Sequence, residues 1–221
     1  TMFLLISDFF LSDLPYGGGA EYNDQILYQL FLEKKYKITR VRSKEVTVGT
    51  LSKLNNDTKI IVSNFVRLNE DSKNHIINNF EYVIYEHDHK YLRRRIPSLF
   101  YNFKAPDSEI VNYNFYKSAK AVLVQSGFHK KIIKLNIDID NVVNLSGNLW
   151  TDNDFLPTIP ETLSRICVEA RMMGCSVITN GMVGVKYEDW YDLKGNELID
   201  LMKNKRDTII NTIHQIFKVI K

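Results

Sequence analysis

Apolar residues fall along the chain in short runs separated by helical stripes. Phe3-Leu4-Leu5-Ile6 predicts a buried strand, and the turn-forming Leu14-Pro15-Tyr16-Gly17-Gly18-Gly19 follows it. From about Ala20 to Lys35, Ile26, Leu27, Leu30 and Phe31 keep helical spacing on one face, giving a strand, a glycine loop and a helix in succession. Further strand-like runs recur at Ile38 to Val41, Lys59 to Val62, Tyr82 to Tyr85, Ala121 to Val124 and Val142 to Leu145. Helical stretches lie between several of them, around Glu70 to Asn79, Glu109 to Ser118 and Phe128 to Leu135. Continuous apolar strands alternating with helices predict an α/β protein with a largely parallel sheet covered on both faces.

From Asn148 to Pro160 the pattern breaks, and a boundary is expected there: one unit over 1–150 and a smaller one over 151–221. The second unit is expected to hold a helix from about Glu161 to Met173, stopped by Gly174. A strand from Cys175 to Thr179 and a helical tail from Gly195 to Lys221 should follow. The length of 221 residues suits either one large domain or two small ones.

Hydrophobic residues make up 44% and charged residues 25%, which excludes collagen-like, coiled-coil and wholly disordered chains. Two cysteines, Cys167 and Cys175, lack zinc or thioredoxin spacing and fit a reducing compartment. Asp8 and Asp13 interrupt the apolar N-terminal run, and no basic leader precedes it, so a cytoplasmic protein is expected. The net charge of +3 is gathered in short clusters, including Lys34-Lys35, Arg93-Arg94-Arg95 and Lys130-Lys131. Such clusters read first as solvated faces, then as contacts for anionic small molecules or a peripheral membrane surface. No nucleic-acid partner is expected, because no recognised binding motif accompanies them.

Gly17, Gly18 and Gly19 lie between a strand and a helix start, where a backbone without Cβ atoms can approach a ligand and helix amides can hold an anion. A tight turn needing positive φ is the other explanation. The spacing misses the Gly-x-Gly-x-x-Gly fingerprint, which argues against a nicotinamide dehydrogenase. Val83-Ile84-Tyr85-Glu86-His87-Asp88-His89 ends a strand, where open α/β sheets place their ligand sites. At period two His87 and His89 share a face and Asp88 opposes them. A metal site would need a third ligand that the pattern does not supply, so none is assigned.

Glu161 and Glu169 stand eight positions apart in Pro160-Glu161-Thr162-Leu163-Ser164-Arg165-Ile166-Cys167-Val168-Glu169-Ala170, roughly 12 Å apart along a helix. A sugar nucleotide needs comparable reach between its sugar and its ribose. Thr158-Ile159-Pro160-Glu161 also fits a capping box, with Glu169 as a surface carboxylate.

This segment resembles the donor-binding signature of retaining glycosyltransferases of the GT-B fold, especially family 4. The resemblance implies a Rossmann-like parallel-sheet domain followed by a truncated second Rossmann-like domain. It implies transfer of a sugar from a nucleoside diphosphate sugar to a glycan, lipid-linked or other hydroxyl acceptor, with no cofactor beyond that donor. Glu161 would face the transferred sugar and Glu169 the ribose, while Gly17, Gly18 and Gly19 would lie near the donor phosphates. A histidine of the first domain, His87 before His89, would approach the sugar. Residues 151–160 alone separate Trp150 from Glu161, leaving no counterpart for the family's diphosphate-binding Arg and Lys, and Arg165 is the candidate in their place. The alternative of another class is a non-catalytic nucleotide-sugar-binding module; a purely structural protein would bind no nucleotide.

Overall fold

The computed structural model describes residues 1–14, 17–150, 163–174, 177 and 184–218, with 163–166 and 218 described by backbone only. Six parallel strands form one sheet: β1 (Met2–Ser7), β2 (Lys37–Arg42), β3 (Lys59–Val62), β4 (Glu81–Tyr85), β5 (Ala121–Val124) and β6 (Val142–Asn144). Their order across the sheet is β2-β1-β3-β4-β5-β6. The chain moves outward once, from β1 through helix α1 (Gly19–Glu33) to β2, then crosses back to β3 on the other side of β1. That reversal splays the loops apart at the carboxyl ends of β1 and β3, the crevice where an open α/β sheet can take a ligand.

The four inner strands are apolar on both faces because helices cover both. Leu4, Ile6, Ile60, Val62, Ile84 and Val122 face one cluster, where α2 (Val48–Leu51), α3 (Glu70–Asn79), α4 (Tyr113–Ser118) and α5 (Gly127–Ile137) contribute Leu51, Ile76, Phe115 and Ile133. Phe3, Leu5, Ile61, Val83 and Leu123 face the other, against Ile26, Leu27, Leu30 and Phe31 of α1. All six strands predicted from the apolar runs are present, and the helix expected at Glu70 to Asn79 is α3. The helix expected from Glu109 begins later. Asn112 adopts a left-handed conformation at φ 58° and caps α4, so the stretch before it is a separate 3-10 turn, Asp107–Glu109.

Beyond Trp150, α6 (Leu163–Met172) packs with the first half of α7 (Gly195–Lys218) in a small cluster of Trp150, Val168, Met172, Trp190, Leu198 and Met202. At 24 residues α7 is roughly 36 Å long. That length lets its second half reach the sheet, where Ile209, Ile210, Ile213 and Phe217 join the α1 face. Of the strand expected from Cys175 to Thr179 only Val177 is among the described residues. Among the described residues no helix is long and apolar enough to cross a membrane.

Candidate functional site

A cavity of about 500 Å³ opens at the carboxyl ends of the central strands. Asp8 and Phe9 follow β1, Asn64 follows β3, His87 and Asp88 follow β4, and Gln125 follows β5. Gly18, Gly19, Ala20 and Glu21, at the start of α1, close the wall. The first-turn amides of a helix have no partner in a preceding turn, and the 15-residue α1 directs the positive end of its dipole here. Glu21 already accepts the Gly18 amide at 2.9 Å, so an arriving anion meets one carboxylate at this helix end.

The glycines do not serve a positive-φ turn: among the described glycines only Gly174 and Gly195 have positive φ. Close approach within the chain is the reason for two of them. A Cβ at Gly17 would lie 2.1 Å from Leu11 Cδ2, and one at Gly18 would lie 2.9 Å from Glu21 Oε2.

β4 ends at Tyr85, so the alternation expected for His87, Asp88 and His89 does not apply; the chain bends after the strand. His87 and Asp88 line the cavity together. The Gln125 amide nitrogen donates to His87 Nδ1 at 2.8 Å, which leaves the ring proton on Nε2, 3.2 Å from Asp24 Oδ1. Asp24, fully buried on α1, also accepts the Ser7 hydroxyl at 2.7 Å and the Ser63 hydroxyl at 2.6 Å. Both nitrogens of His87 are thereby engaged. The ring is fixed by α1 and β5, and in this geometry it is a positioning group rather than a free acid or base. His89 instead meets the Tyr91 hydroxyl at 2.9 Å and packs edge-on against His129, whose Nε2 donates to the Asp88 carbonyl at 2.8 Å.

Behind His87 lies a buried charge network. Lys90, 2% exposed, pairs with the fully buried Glu86 and with Asp88 Oδ1 at 2.6 Å, and Arg95 reaches Asp88 Oδ2 at 3.2 Å. The Tyr116 hydroxyl donates to Glu86. Burial pushes the Glu86 carboxyl up to about 7, against the pull of Lys90. Burial raises Asp88 too, but Lys90, hydrogen bonds and Arg95 outweigh it and hold that carboxyl at about 2. Burial lowers His89 to about 4 and His129 to about 3.

These shifts make stability depend on pH in a defined direction. Both histidines stay neutral in the fold, whereas their ordinary value is 6.5, so the unfolded chain gains two protons as pH falls from 6.5 toward 4. Glu86 acts oppositely, because the folded chain keeps a proton between 4.5 and about 7 that the unfolded chain has lost. One net proton favours unfolding, so stability should fall by about 1.4 kcal/mol per pH unit between pH 6 and 5. Urea denaturation checks this: Glu86→Gln should make the acid loss steeper, and a flat profile in both proteins would contradict it.

A second cavity of about 350 Å³ shares His87, Asp88, Gln125 and Asn148 with the first and extends between the start of α5 and the segment after α6. His89 and Val168 line it. Glu188 fixes this wall by accepting the Gly127 amide at 2.7 Å and the Ser146 hydroxyl. Trp190 Nε1 donates to the Ser146 carbonyl at 2.9 Å. Asn148 Oδ1 is buried without a hydrogen-bond partner among the described residues, although Asn148 lines both cavities. An acceptor in that position is free for a ligand hydroxyl.

Glu161 lies outside the described residues, as does the side chain of Arg165. Glu169 is buried on α6 at 8% exposure, not a surface carboxylate, and its neighbour Val168 is the residue lining the second cavity. Among the described residues no group of three or more His, Cys, Asp or Glu side chains could hold a metal ion. Asp24, Gln125, Asn148 and Glu188 escaped the sequence reading. Only Asp24 left a signal, a carboxylate on the apolar stripe three and seven positions before Leu27 and Phe31.

No family model matches the chain, and no curated protein matches it. Among solved structures it is similar to an alpha-glucosyltransferase in complex with UDP and a 13-mer DNA containing an HMU base. The identity is 16% and the TM-score 0.43, over 65% of this chain and 41% of that one. It is also similar to an alpha-glucosyltransferase (AGT) in complex with UDP, at 14% identity and a TM-score of 0.41, over 70% of this chain and 48% of that one. The chain thus spans less than half the length of either structure.

Proposed function

We propose that the protein is a retaining glycosyltransferase of GT-B type that moves a sugar from a nucleoside diphosphate sugar to an acceptor hydroxyl. The observation that carries this reading is the pair of contiguous cavities with one common wall. A donor lying in the second cavity, against α6 and the start of α5, would bring its anomeric carbon to His87, Asp88, Gln125 and Asn148. An acceptor in the first cavity would approach that wall from the other side. Glu169 supports the same orientation, because its neighbour on α6, Val168, lines the second cavity. Catalysis would rest on orientation and on stabilising the departing diphosphate, with Asn148 Oδ1 accepting a sugar hydroxyl.

The alternative, a nucleotide-sugar-binding module without turnover, is favoured by one specific feature. Among the described residues Arg95 is the single Lys or Arg lining the first cavity, none lines the second, and both nitrogens of His87 are already used, so little positive charge faces a departing diphosphate. Incubating the purified chain with a panel of nucleoside diphosphate sugars and following the anomeric protons by NMR separates the two. Transfer or slow hydrolysis with retained configuration supports the enzyme, inversion removes the retaining assignment, and binding without turnover leaves the module.

A further inference from the structure

Beside the first cavity, and sharing Arg95 with it, is a hollow of about 200 Å³ lined by Phe65, Lys73, Lys90, Arg93, Arg95 and Asn112. Its base holds two ammonium groups that are almost completely buried. Lys73 is 6% exposed and Lys90 2%, and both Nζ atoms lie over the Phe65 ring, at 5.8 and 5.5 Å from its centre. Burying an ammonium is unfavourable unless something pairs with it. Lys90 has Glu86 and Asp88. Among the described residues Lys73 has only Glu70, whose side chain is 77% exposed, and the Asn112 amide oxygen at 2.7 Å. Among the described residues the Arg93 guanidinium has no ion-pair or hydrogen-bond partner, Arg94 lies 3.6 Å from Glu109, and Arg95 shares Asp88 with Lys90.

We infer that this hollow is a subsite for a phosphate ester group. Two lysines with buried ammonium groups and two arginines line a space the size of a phosphate with its first substituent, the Arg93 guanidinium being uncommitted among the described residues, and the guanidinium fork matches phosphate oxygens in pairs. Because Arg95 belongs to both spaces, a molecule anchored here by its phosphate extends into the first cavity. Its assignment as the acceptor rests on the glycosyl-transfer reading. The chain after Arg95 is apolar and solvent-facing, with Ile96 49%, Leu99 56% and Tyr101 88% exposed. A phosphate carried on a lipid headgroup would have apolar anchorage beside it; a soluble phosphate ester would use the basic groups alone.

The test is calorimetry of the full chain with glycerol 1-phosphate, alone and in the presence of saturating nucleoside diphosphate. It is run beside sedimentation with phosphatidylcholine vesicles that do or do not contain phosphatidic acid. The inference expects glycerol 1-phosphate to bind without competition from the nucleotide, and the Arg93→Gln protein to bind it at least tenfold more weakly at unchanged thermal midpoint. Phosphatidic-acid-dependent sedimentation that Arg93→Gln and Leu99→Ser both reduce identifies a lipid source, while glycerol 1-phosphate binding alone identifies a soluble one. Displacement by nucleotide, insensitivity to Arg93→Gln, or no binding of either probe would overturn the subsite. So would tighter, Arg93-dependent binding of a duplex oligonucleotide. Nucleotide binding without binding of either phosphate probe removes the subsite and leaves the proposed function. The converse leaves the subsite and removes the function.

Discussion

Replacing Asp24 with alanine should destabilise the protein by about 3–5 kcal/mol, a large part of the stability of an ordinary domain. The carboxylate is fully buried and accepts three donors: the Ser7 hydroxyl at the end of β1, the Ser63 hydroxyl after β3 and the His87 ring after β4. Alanine would leave all three without a partner in the interior, and each unsatisfied group costs roughly 1–3 kcal/mol. Asp24→Asn should cost less, because it keeps one acceptor oxygen and its amide can donate to a hydroxyl that turns to accept. Urea denaturation of the three proteins decides this. A loss below about 1 kcal/mol in Asp24→Ala would show that the network is not what joins these strand ends.

Replacing Glu161 with alanine should abolish sugar transfer, with kcat lower by roughly 1,000-fold or more, while nucleotide affinity and thermal midpoint hold. The proposal places this carboxylate on the transferred sugar, so its removal acts on the reacting group and not on the nucleotide. Glu169→Gln should show the opposite division, weakening nucleotide binding through the ribose. Its buried position on α6 also predicts some loss of stability. Turnover retained in the purified Glu161→Ala protein would end its assignment to the sugar.

The sheet was legible because parallel strands covered on both faces are apolar at every position. Phe3 to Ile6, Ile60 to Val62 and Ala121 to Val124 announce themselves without alternation. The stretch from Glu86 to Asn112 was not, because its order comes from contacts with no local period. Leu92 bridges Ile110, Asn112 Nδ2 donates to the Lys90 carbonyl at 2.7 Å, and Lys90 is held by carboxylates.

The candidate site divides in the same way. Gly18, Gly19 and His87 were visible from their place at the ends of β1 and β4. The partners that fix His87 were not, since Asp24 and Gln125 stand 63 and 38 positions away and meet it only through the sheet order. His87 and His89 were read with a strand's period although β4 had already ended at Tyr85. Asn148 carried no signal at all, because an asparagine after Gly147 reads simply as a turn.

The central claim is that the second cavity, joined to the first at His87 and Asn148, holds one nucleoside diphosphate sugar. Titration calorimetry of the chain with uridine, guanosine and adenosine diphosphates tests it most directly, with Asn148→Ala and Glu169→Gln in parallel. The account predicts binding of one molecule per chain for at least one nucleotide, weakened by Glu169→Gln. Adding a sugar to the nucleotide should tighten binding in the wild type but not in Asn148→Ala. Absence of binding by every nucleotide at millimolar concentration, or binding indifferent to both substitutions, would contradict it.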